Sequence, residues 1–184
     1  MRNINKRYWW LIGMITKNGY TMGAEIGCAN GATTGRLLQY CRNLKLFAVD
    51  RWEKVTDGPE AGSMGEVIGN NCTKWDPVDG LKKFHVATQM NSNRLTILQG
   101  DSVEMATRVK DGTLDFVFID ADHRYAAVLE DMAAWAPKLK PGGTLCGHDI
   151  HLPGVKKAVE EKCIQYEEAG VDHCWLCKKE DYAN

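Results

Sequence analysis

Short hydrophobic runs and longer amphipathic segments alternate along the chain. Residues 114–119 contain a continuous apolar core, the pattern of a strand that is covered on both faces. After this run, Tyr125, Val128, Leu129 and Met132 follow the i, i+3, i+4, i+7 spacing of a helix that buries one face. Strands that alternate with helices predict a mostly parallel sheet between helix layers, because parallel strands need crossover connections. We therefore expect an α/β fold.

The same alternation covers most of the chain. It predicts further strands at 22–27, 44–49, 95–98 and 144–147, and further helices at 5–17, 33–41, 78–91 and 155–163. Pro141-Gly142-Gly143 is expected to be a turn that leads into the strand at 144–147. The final runs, 164–167 and 174–177, lie too close together for another helix, so they predict an antiparallel hairpin.

One stretch departs from this rhythm. Residues 52–80 hold five glycines, two prolines and six acids against two bases. Loops of such length in a compact domain are usually functional or mobile. We expect this loop to choose the substrate, with Trp52 and Trp75 as candidate walls of the substrate site.

Composition limits the class of protein. The chain has 184 residues, 44% hydrophobic and 26% charged, and a net charge of -1. These values predict a single globular domain over 1–184, without a membrane span and without the basic surplus of a nucleic-acid-binding chain. The seven cysteines are an odd number in a chain large enough to form its own core, and no segment has the pattern of a signal peptide. We therefore expect a cytoplasmic protein.

Charge is balanced overall but not locally. Residues 1–20 carry four bases and no acid, whereas residues 101–150 carry nine acids and five bases. We expect residues 1–19 to form a helical cap. Its aromatic residues Tyr8, Trp9 and Trp10 could cover a ligand, form a homodimer contact or complete the core.

Acids close most of the predicted strands. Asp50, Asp101, Asp120 and Asp149 each follow a hydrophobic run. Parallel strands bring such residues to one edge of the sheet, where ligands bind in open α/β folds. Carboxylates that converge there repel one another, so a cation or a hydroxyl-rich ligand is expected between them.

A glycine loop follows the first predicted strand. Its glycines stand at 27, 31 and 35, which is not the G-x-G-x-x-G spacing of a pyrophosphate-binding turn. Asp50 comes 23 residues after Gly27, where its carboxylate could accept both hydroxyls of a ribose. A plain strand-to-helix turn, with Asp50 as a loop cap, remains the alternative.

Taken together, these motifs resemble those of class I S-adenosylmethionine-dependent methyltransferases. The matching segments are Glu25 to Gly31, Phe47 to Asp50, Gly100 to Ser102 and Phe118 to His123. The stretch from Trp135 through Pro141-Gly-Gly143 to Gly147-His-Asp149 is similar to small O-methyltransferases. The resemblance covers about residues 20–178, and Ala29 departs from it where many members have glycine.

The resemblance implies a fold and a set of cofactor contacts. The fold would be a three-layer Rossmann-like sandwich whose sheet has seven mostly parallel strands and an antiparallel last strand. Glu25 and Gly27 would border the methionine part of the cofactor, Asp50 would bind the ribose, and Asp101 with Ser102 would lie near the adenine. The remaining implied cofactor contacts are Asn30, Gly31, Arg51 and Asp120.

The metal-dependent branch of the superfamily suggests a divalent ion, such as magnesium or manganese. By this resemblance Asp120, His148 and Asp149 would be its ligands, and His123 would be the general base. Ile150 stands where catechol-type members have asparagine. Alternatively, Asp120 contacts only the methionine end of the cofactor and Asp149 caps the following loop.

These features favour methyl transfer to a small hydroxylated acceptor rather than to nucleic acid. A nicotinamide-dependent oxidoreductase and a non-catalytic binding module of the same fold are the rival interpretations. The pair Cys174 and Cys177 beside His173 is expected to be structural, because residues three apart on a strand point to opposite faces. His151 could approach the metal or lie in the loop.

Overall fold

The computed structural model describes residues 6–53 and 76–183 as a three-layer α/β sandwich. The sheet has the order β3-β2-β1-β4-β5-β7-β6. Its strands are β1 (Met22–Ile26), β2 (Lys45–Asp50), β3 (Leu95–Gln99), β4 (Leu114–Ile119), β5 (Leu139–Gly147), β6 (Glu167–Glu168) and β7 (Trp175–Lys178). Strands β1 to β5 pair in parallel, and β7 pairs antiparallel with both β5 and β6. The predicted seven-stranded sheet with an antiparallel last strand is confirmed.

Helices cover both faces of the sheet. They are α1 (Arg7–Asn18), α2 (Ala32–Tyr40), α3 (Pro77–Thr88), α4 (Ser102–Ala106), α5 (Tyr125–Trp135) and α6 (Pro153–Lys162). Alternate residues of β4 point to opposite faces, so Phe116 packs in a core with α1 and α2, whereas Val117 packs in a core with α5 and α6. Among the described residues, no helix combines the length and the apolar character that crossing a membrane requires.

Helix α1 is an integral part of one helix layer. Leu11 and Ile15 are buried and pack against Phe116 and Phe118. The helix stops at Gly19, whose φ of +66° is left-handed and whose N–H bonds the carbonyls of the last turn. The amino-terminal part of the described chain is therefore helical over Arg7–Asn18 and is anchored in the core.

One predicted strand needs correction, and one helix was not predicted. Strand β5 begins at Leu139 rather than Thr144 and runs through Pro141-Gly142-Gly143, with a register shift against β4 between Leu114 and Phe116. The short helix α4 was not predicted. Its signal in the sequence is Asp101, whose side chain accepts the N–H groups of Val103 and Glu104 as a helix N-cap.

The predicted substrate loop is only partly described. Residues 54–75, including Trp75, lie outside the described residues. From Pro77 the chain is helical, since α3 begins there with Asp76 as its N-cap. Trp52 is 5% exposed and packs against Phe84, so it belongs to the core and is not an open substrate wall.

Candidate active site

The ends of strands β1 to β5 form the carboxyl edge of the sheet. In the register of the ladder, Ile26 lies opposite Ile119, and Ile119 lies opposite Gly147. The residues that follow these positions, Gly27, Asp120 and His148, must therefore meet at one place. The sheet thus joins the glycine loop to the acidic strand ends that the sequence singled out.

Gly27 allows the glycine loop to lie directly against β4. Its φ is +85°, and a Cβ at this position would lie 2.1 Å from the backbone oxygen of Asp120. Ala29, the departure from the family pattern, also adopts a left-handed conformation with φ of +46°. A side chain at residue 27 would have to displace backbone, so only glycine fits.

Asp50 shapes this loop. One carboxylate oxygen, Oδ2, accepts the N–H groups of Cys28 and Ala29 at 2.9 and 2.8 Å, and the other, Oδ1, accepts that of Trp52 at 2.9 Å. The capping role that the sequence left open is therefore present. Oδ1 accepts one N–H here, so it keeps capacity for a further donor.

Glu25 lies beneath the loop and is 2% exposed. Burial raises the pKa of Glu25 to about 8, against the opposing effect of a 2.6 Å hydrogen bond from the Thr34 hydroxyl. The negative charge of Asp120 raises this pKa further, and the positive charge of Arg7 lowers it. Burial therefore favours the neutral form of the Glu25 carboxyl.

Asp101 and Ser102 form the opposite end of the carboxyl edge. Besides capping α4, Asp101 pairs with Arg51 through its other oxygen. Partial burial raises the pKa of Asp101, but the Arg51 contact and the backbone N–H groups of Glu104 and Val103 together outweigh it and leave that pKa below its usual value. The Ser102 hydroxyl oxygen accepts the indole N–H of Trp135 at 2.9 Å, and Ser102 hydrogen-bonds the buried Asp131.

Asp120, His123, His148 and Asp149 form what we call the acidic corner. One ligand atom each from Asp120, His123 and Asp149 lie within 4.8 Å of one another. His123 Nε2 is 2.7 Å from Asp149 Oδ2. Asp149 adopts a left-handed φ of +57°, which is uncommon for a residue other than glycine and often marks a functional site. Of the four strand-end acids, Asp120 and Asp149 meet in this corner.

His148 lies between the two carboxylates of this corner. Its Nδ1 is 2.9 Å from Asp149 Oδ2 and 3.5 Å from Asp120 Oδ1. Partial burial lowers the pKa of His148, but the Asp120 and Asp149 contacts outweigh it and raise the pKa to about 9. His148, a predicted metal ligand, is outside the group of three that lies within 4.8 Å.

The contacts of the corner are close, but several lack hydrogen-bond alignment. Nε2 of His123 and both ring nitrogens of His148 are buried and make no aligned hydrogen bond within the described structure. Buried nitrogens beside carboxylates are the donor set of a transition-metal site. Nitrogen and oxygen ligands at this spacing therefore fit a divalent ion.

Two residues of the site escaped the sequence analysis. Arg7 places its Nε 3.1 Å from Asp120 Oδ2, and its backbone N–H donates to Asp172 Oδ2 at 3.0 Å. Asp172, in the loop between β6 and β7, is also 3.9 Å from Nε2 of His148. The excess of bases in residues 1–20 was a signal for Arg7, whereas Asp172 follows no motif.

A cavity adjoins the acidic corner. It measures about 430 Å³ and is lined by residues that include Ile150, His151, Lys156, Glu168, Asp172 and His173. His151 connects the two features, because its Nδ1 is 3.8 Å from Asp149 Oδ1 while its ring lies 4.0 Å from that of His173, centroid to centroid. The volume is in the range of small-molecule sites.

Cys174 and Cys177 are both buried, and Cys174 is one of the residues that line this cavity. Cys174 bonds the carbonyl of Asp172 through its thiol, whereas Cys177 contacts Cys163. The two side chains thus have different surroundings, as the spacing on a strand predicts. Both thiols are free.

Comparisons with known proteins agree with this architecture. Residues 24–150 match a family described as "Methyltransferase domain". No curated protein matches the chain in sequence.

Three solved structures illustrate the similarity of fold. A Staphylococcus aureus protein provisionally assigned as a caffeoyl-CoA O-methyltransferase has a TM-score of 0.65 and 16% identity, over 93% of this chain and 82% of its own. The O-methyltransferase NovP has a TM-score of 0.64 and 14% identity, over 95% and 78%. A methyltransferase from Geobacter sulfurreducens has a TM-score of 0.64 and 12% identity, over 93% and 76%. At such identities the likeness shows a common fold.

Proposed function

Because the match spans more than half of its length, this chain belongs to the methyltransferase-domain family, and we propose that it transfers the methyl group of S-adenosylmethionine to a hydroxyl of a small molecule. One observation supports a hydroxyl as the methyl acceptor. A histidine and two aspartates, His123, Asp120 and Asp149, converge beside the glycine loop at the carboxyl edge. Such a group can bind and deprotonate a hydroxyl.

The glycine loop and the strand ends suit the proposed cofactor. Gly27 lets the loop lie against the backbone of Asp120, where a side chain cannot fit, and Asn30 and Gly31 continue the loop to the start of α2. We assign the ribose to Asp50, through its less occupied Oδ1, and the adenine to the corner of Arg51, Asp101 and Ser102. Glu25 and Asp120 are assigned to the methionine end.

When bound, S-adenosylmethionine supplies an electrophilic methyl group, and a divalent ion such as magnesium or manganese acidifies a hydroxyl that coordinates it. We assign the ion to Asp120, His148 and Asp149. The buried, unaligned nitrogens of the acidic corner support an ion there. In the alternative set, His123 replaces His148, in agreement with the grouping within 4.8 Å.

The protein groups then have distinct tasks. His123 accepts the proton of the acceptor hydroxyl at Nδ1, the usual task of an imidazole in general base catalysis, while its Nε2 faces Asp149. Asp149, 2.7 Å from that nitrogen, orients the ring and stabilises the charge it acquires. The strand ends hold these groups on a rigid sheet, which supplies the alignment that in-line transfer needs.

Other features support the acceptor class and the setting. The adjoining cavity of about 430 Å³ suits a small molecule. The described cysteines are free and buried, which supports a reducing compartment, and we infer the cytoplasm. A homodimer remains a proposal, in which the aromatic residues of α1 would be candidate contacts. The nicotinamide-dependent alternative is not favoured by the family match, and the groups of the acidic corner argue against a non-catalytic module.

Transfer of labelled methyl groups tests the proposal. We expect the protein to methylate members of a panel of small hydroxylated compounds, and EDTA to abolish transfer until manganese or magnesium is restored. Asp149→Ala should lower kcat/KM at least about 100-fold, because it removes an ion ligand and the partner of His123.

Asp111→Ala is the matched control. Asp111 is exposed and pairs with Lys138 away from the carboxyl edge, so this variant should keep full activity. Transfer to amines or carbon but not to hydroxyls would contradict the acceptor class. Activity that is indifferent to EDTA and to Asp149→Ala would exclude the ion, and loss of manganese affinity in His148→Ala or in His123→Ala would identify its third ligand.

A further inference from the structure

The described basic side chains along the carboxyl edge differ in the partners that they contact. Arg51 pairs with Asp101, and Arg124 pairs with Asp122. His148 is 11% exposed and lies between Asp120 and Asp149. Arg7 is different, because it comes from the first turn of α1, its side chain is 34% exposed, and its guanidinium lies beside Asp120 at the end of β4.

Arg7 is held in position from two sides. Its backbone N–H donates to Asp172 at 3.0 Å, which ties the first turn of α1 to the loop between β6 and β7. One turn further along, Leu11 is fully buried in the core, and Ile15 follows it. The helix is therefore fixed on the sheet, and the guanidinium reaches the site from a rigid support.

The Arg7 guanidinium lies near the ends of strands β1 and β4. Its Nε is 3.1 Å from Asp120 Oδ2, and its charge acts on the buried Glu25 at the end of β1. Between these two strands the glycine loop begins, with Gly27 in contact with the backbone of Asp120. Arg7 thus faces the part of the edge that we assigned to the methionine end of the cofactor.

The hydrogen-bonding capacity of Arg7 is largely unused. A guanidinium has five N–H donors. Within the described residues its side chain makes the ion pair with Asp120 and no aligned hydrogen bond, and Nε is buried without an acceptor at a suitable angle. A carboxylate is the acceptor whose two oxygens match the planar fork of an arginine.

A zwitterionic amino acid would complete this arrangement. Asp120 and Arg7 present a negative and a positive group side by side, and the methionine end of the cofactor carries an amino group and a carboxylate at the same carbon. Each charge of the pair would gain an opposite partner while keeping its present one. No net charge would then be buried, which lowers the electrostatic cost of binding.

We propose that Arg7 binds the carboxylate of the cofactor's methionine end, while Asp120 receives its amino group. The proposal rests on the proposed use of S-adenosylmethionine. It makes the amino-terminal helix part of the cofactor site rather than a cover over it, and it predicts that Arg7 distinguishes the complete cofactor from its nucleoside half.

Calorimetric titrations with two ligands separate the contribution of the amino acid head group to binding from that of the nucleoside. S-adenosylhomocysteine contains the amino acid head group, whereas 5′-methylthioadenosine contains the same nucleoside without it. Arg7→Gln should weaken binding of S-adenosylhomocysteine about ten-fold or more, the loss expected for a charge-assisted hydrogen bond. It should change binding of 5′-methylthioadenosine less than about two-fold, and Arg7→Lys, which keeps the charge but not the fork, should fall between wild type and Arg7→Gln.

Lys6→Gln is the matched control. It removes the same charge from the neighbouring, exposed residue and should leave both affinities unchanged. An Arg7→Gln protein that binds both ligands as wild type does, or loses both equally, overturns the proposal, because it shows no carboxylate recognition or a displaced helix. Wild-type protein that binds neither ligand overturns the use of S-adenosylmethionine, and the role of Arg7 with it.

Discussion

Asp131 is a buried acid next to the residues assigned to the adenine, and it is 5% exposed. Burial raises the pKa of Asp131 from 3.8 to about 6, against the opposing effect of the hydrogen bond from Ser102, and the charges of Asp101, Asp122 and Glu130 raise it further. The Ser102 hydroxyl also accepts the indole N–H of Trp135. These contacts form a hydrogen-bonded chain from Trp135 through Ser102 to Asp131. The chain fixes the position of Ser102 in the region assigned to the adenine.

This shift predicts how stability depends on pH. The folded protein keeps a proton on Asp131 that the unfolded chain loses above pH 4, so the stabilisation from this group is complete below about pH 4 and is lost as the pH rises through 6. Asp131→Asn, which stays neutral and can still accept from Ser102, should match wild type at pH 4. At pH 7 its free energy of unfolding should be higher by about 3 kcal/mol. Urea unfolding at several pH values measures the difference.

Glu130→Gln is the control for this prediction. Glu130 is the exposed neighbour on the same helix. Its charge contributes less to the raised pKa of Asp131 than burial does, so its substitution should change the pH dependence far less than Asp131→Asn does. A difference between Asp131→Asn and wild type that is the same at pH 4 and pH 7 would show that Asp131 is charged in the folded protein.

For single residues, the position after a strand predicted which side chains meet in the site better than the chemistry of the side chains did. Asp120 and Asp149 meet because each follows a parallel strand, which hydrophobic runs reveal. Which imidazole would face them depends on local backbone angles, and Asp149 itself is left-handed. Asp172 reaches the site from a loop between two antiparallel strands, so no periodic pattern marks it.

At the scale of elements, α1 is tied to the core by its buried face. Leu11→Ala removes a side chain that is 0% exposed, so we expect a loss of about 2–4 kcal/mol in the free energy of unfolding, in one cooperative transition. Lys17→Ala, on the exposed side of the same helix, should cost less than about 0.5 kcal/mol. Chemical denaturation followed by tryptophan fluorescence measures both.

A different unfolding behaviour of Leu11→Ala would contradict this prediction. If Leu11→Ala gave a separate early transition, with the rest of the fold unchanged in stability, α1 would be a detachable cover. The rigid support that we infer for Arg7 would then be lost.

Elements with strong periodicity or a clear hydrophobic run were predictable, and those set by tertiary contacts were not. The start of α5 follows from its amphipathic spacing. Helix α4 is five residues long, too short for a periodic pattern, and forms because Asp101 caps it. Strand β5 passes through Pro141 and two glycines, which usually end a strand, because pairing with β4 resumes after the register shift.

At the scale of the whole molecule, the order of the strands explains why the site lies where it does. Strands β1 and β4 are neighbours in the sheet but distant in sequence, so the loop after β1 and the acid after β4 meet at the reversal of strand order. Ligands of open α/β sheets bind at such points. Helix α1 and the loop before β7 close this region from the amino-terminal and carboxyl-terminal parts of the described chain.

We propose that the carboxyl edge binds S-adenosylmethionine with its reacting end at the acidic corner. A crystal structure of the protein grown with S-adenosylhomocysteine tests it most directly. We predict the adenine beside Asp101 and Ser102, the ribose at Asp50, and the sulfur facing Asp120 and His123. A ligand that occupies another surface, or that lies on this edge in the opposite direction, would contradict the account.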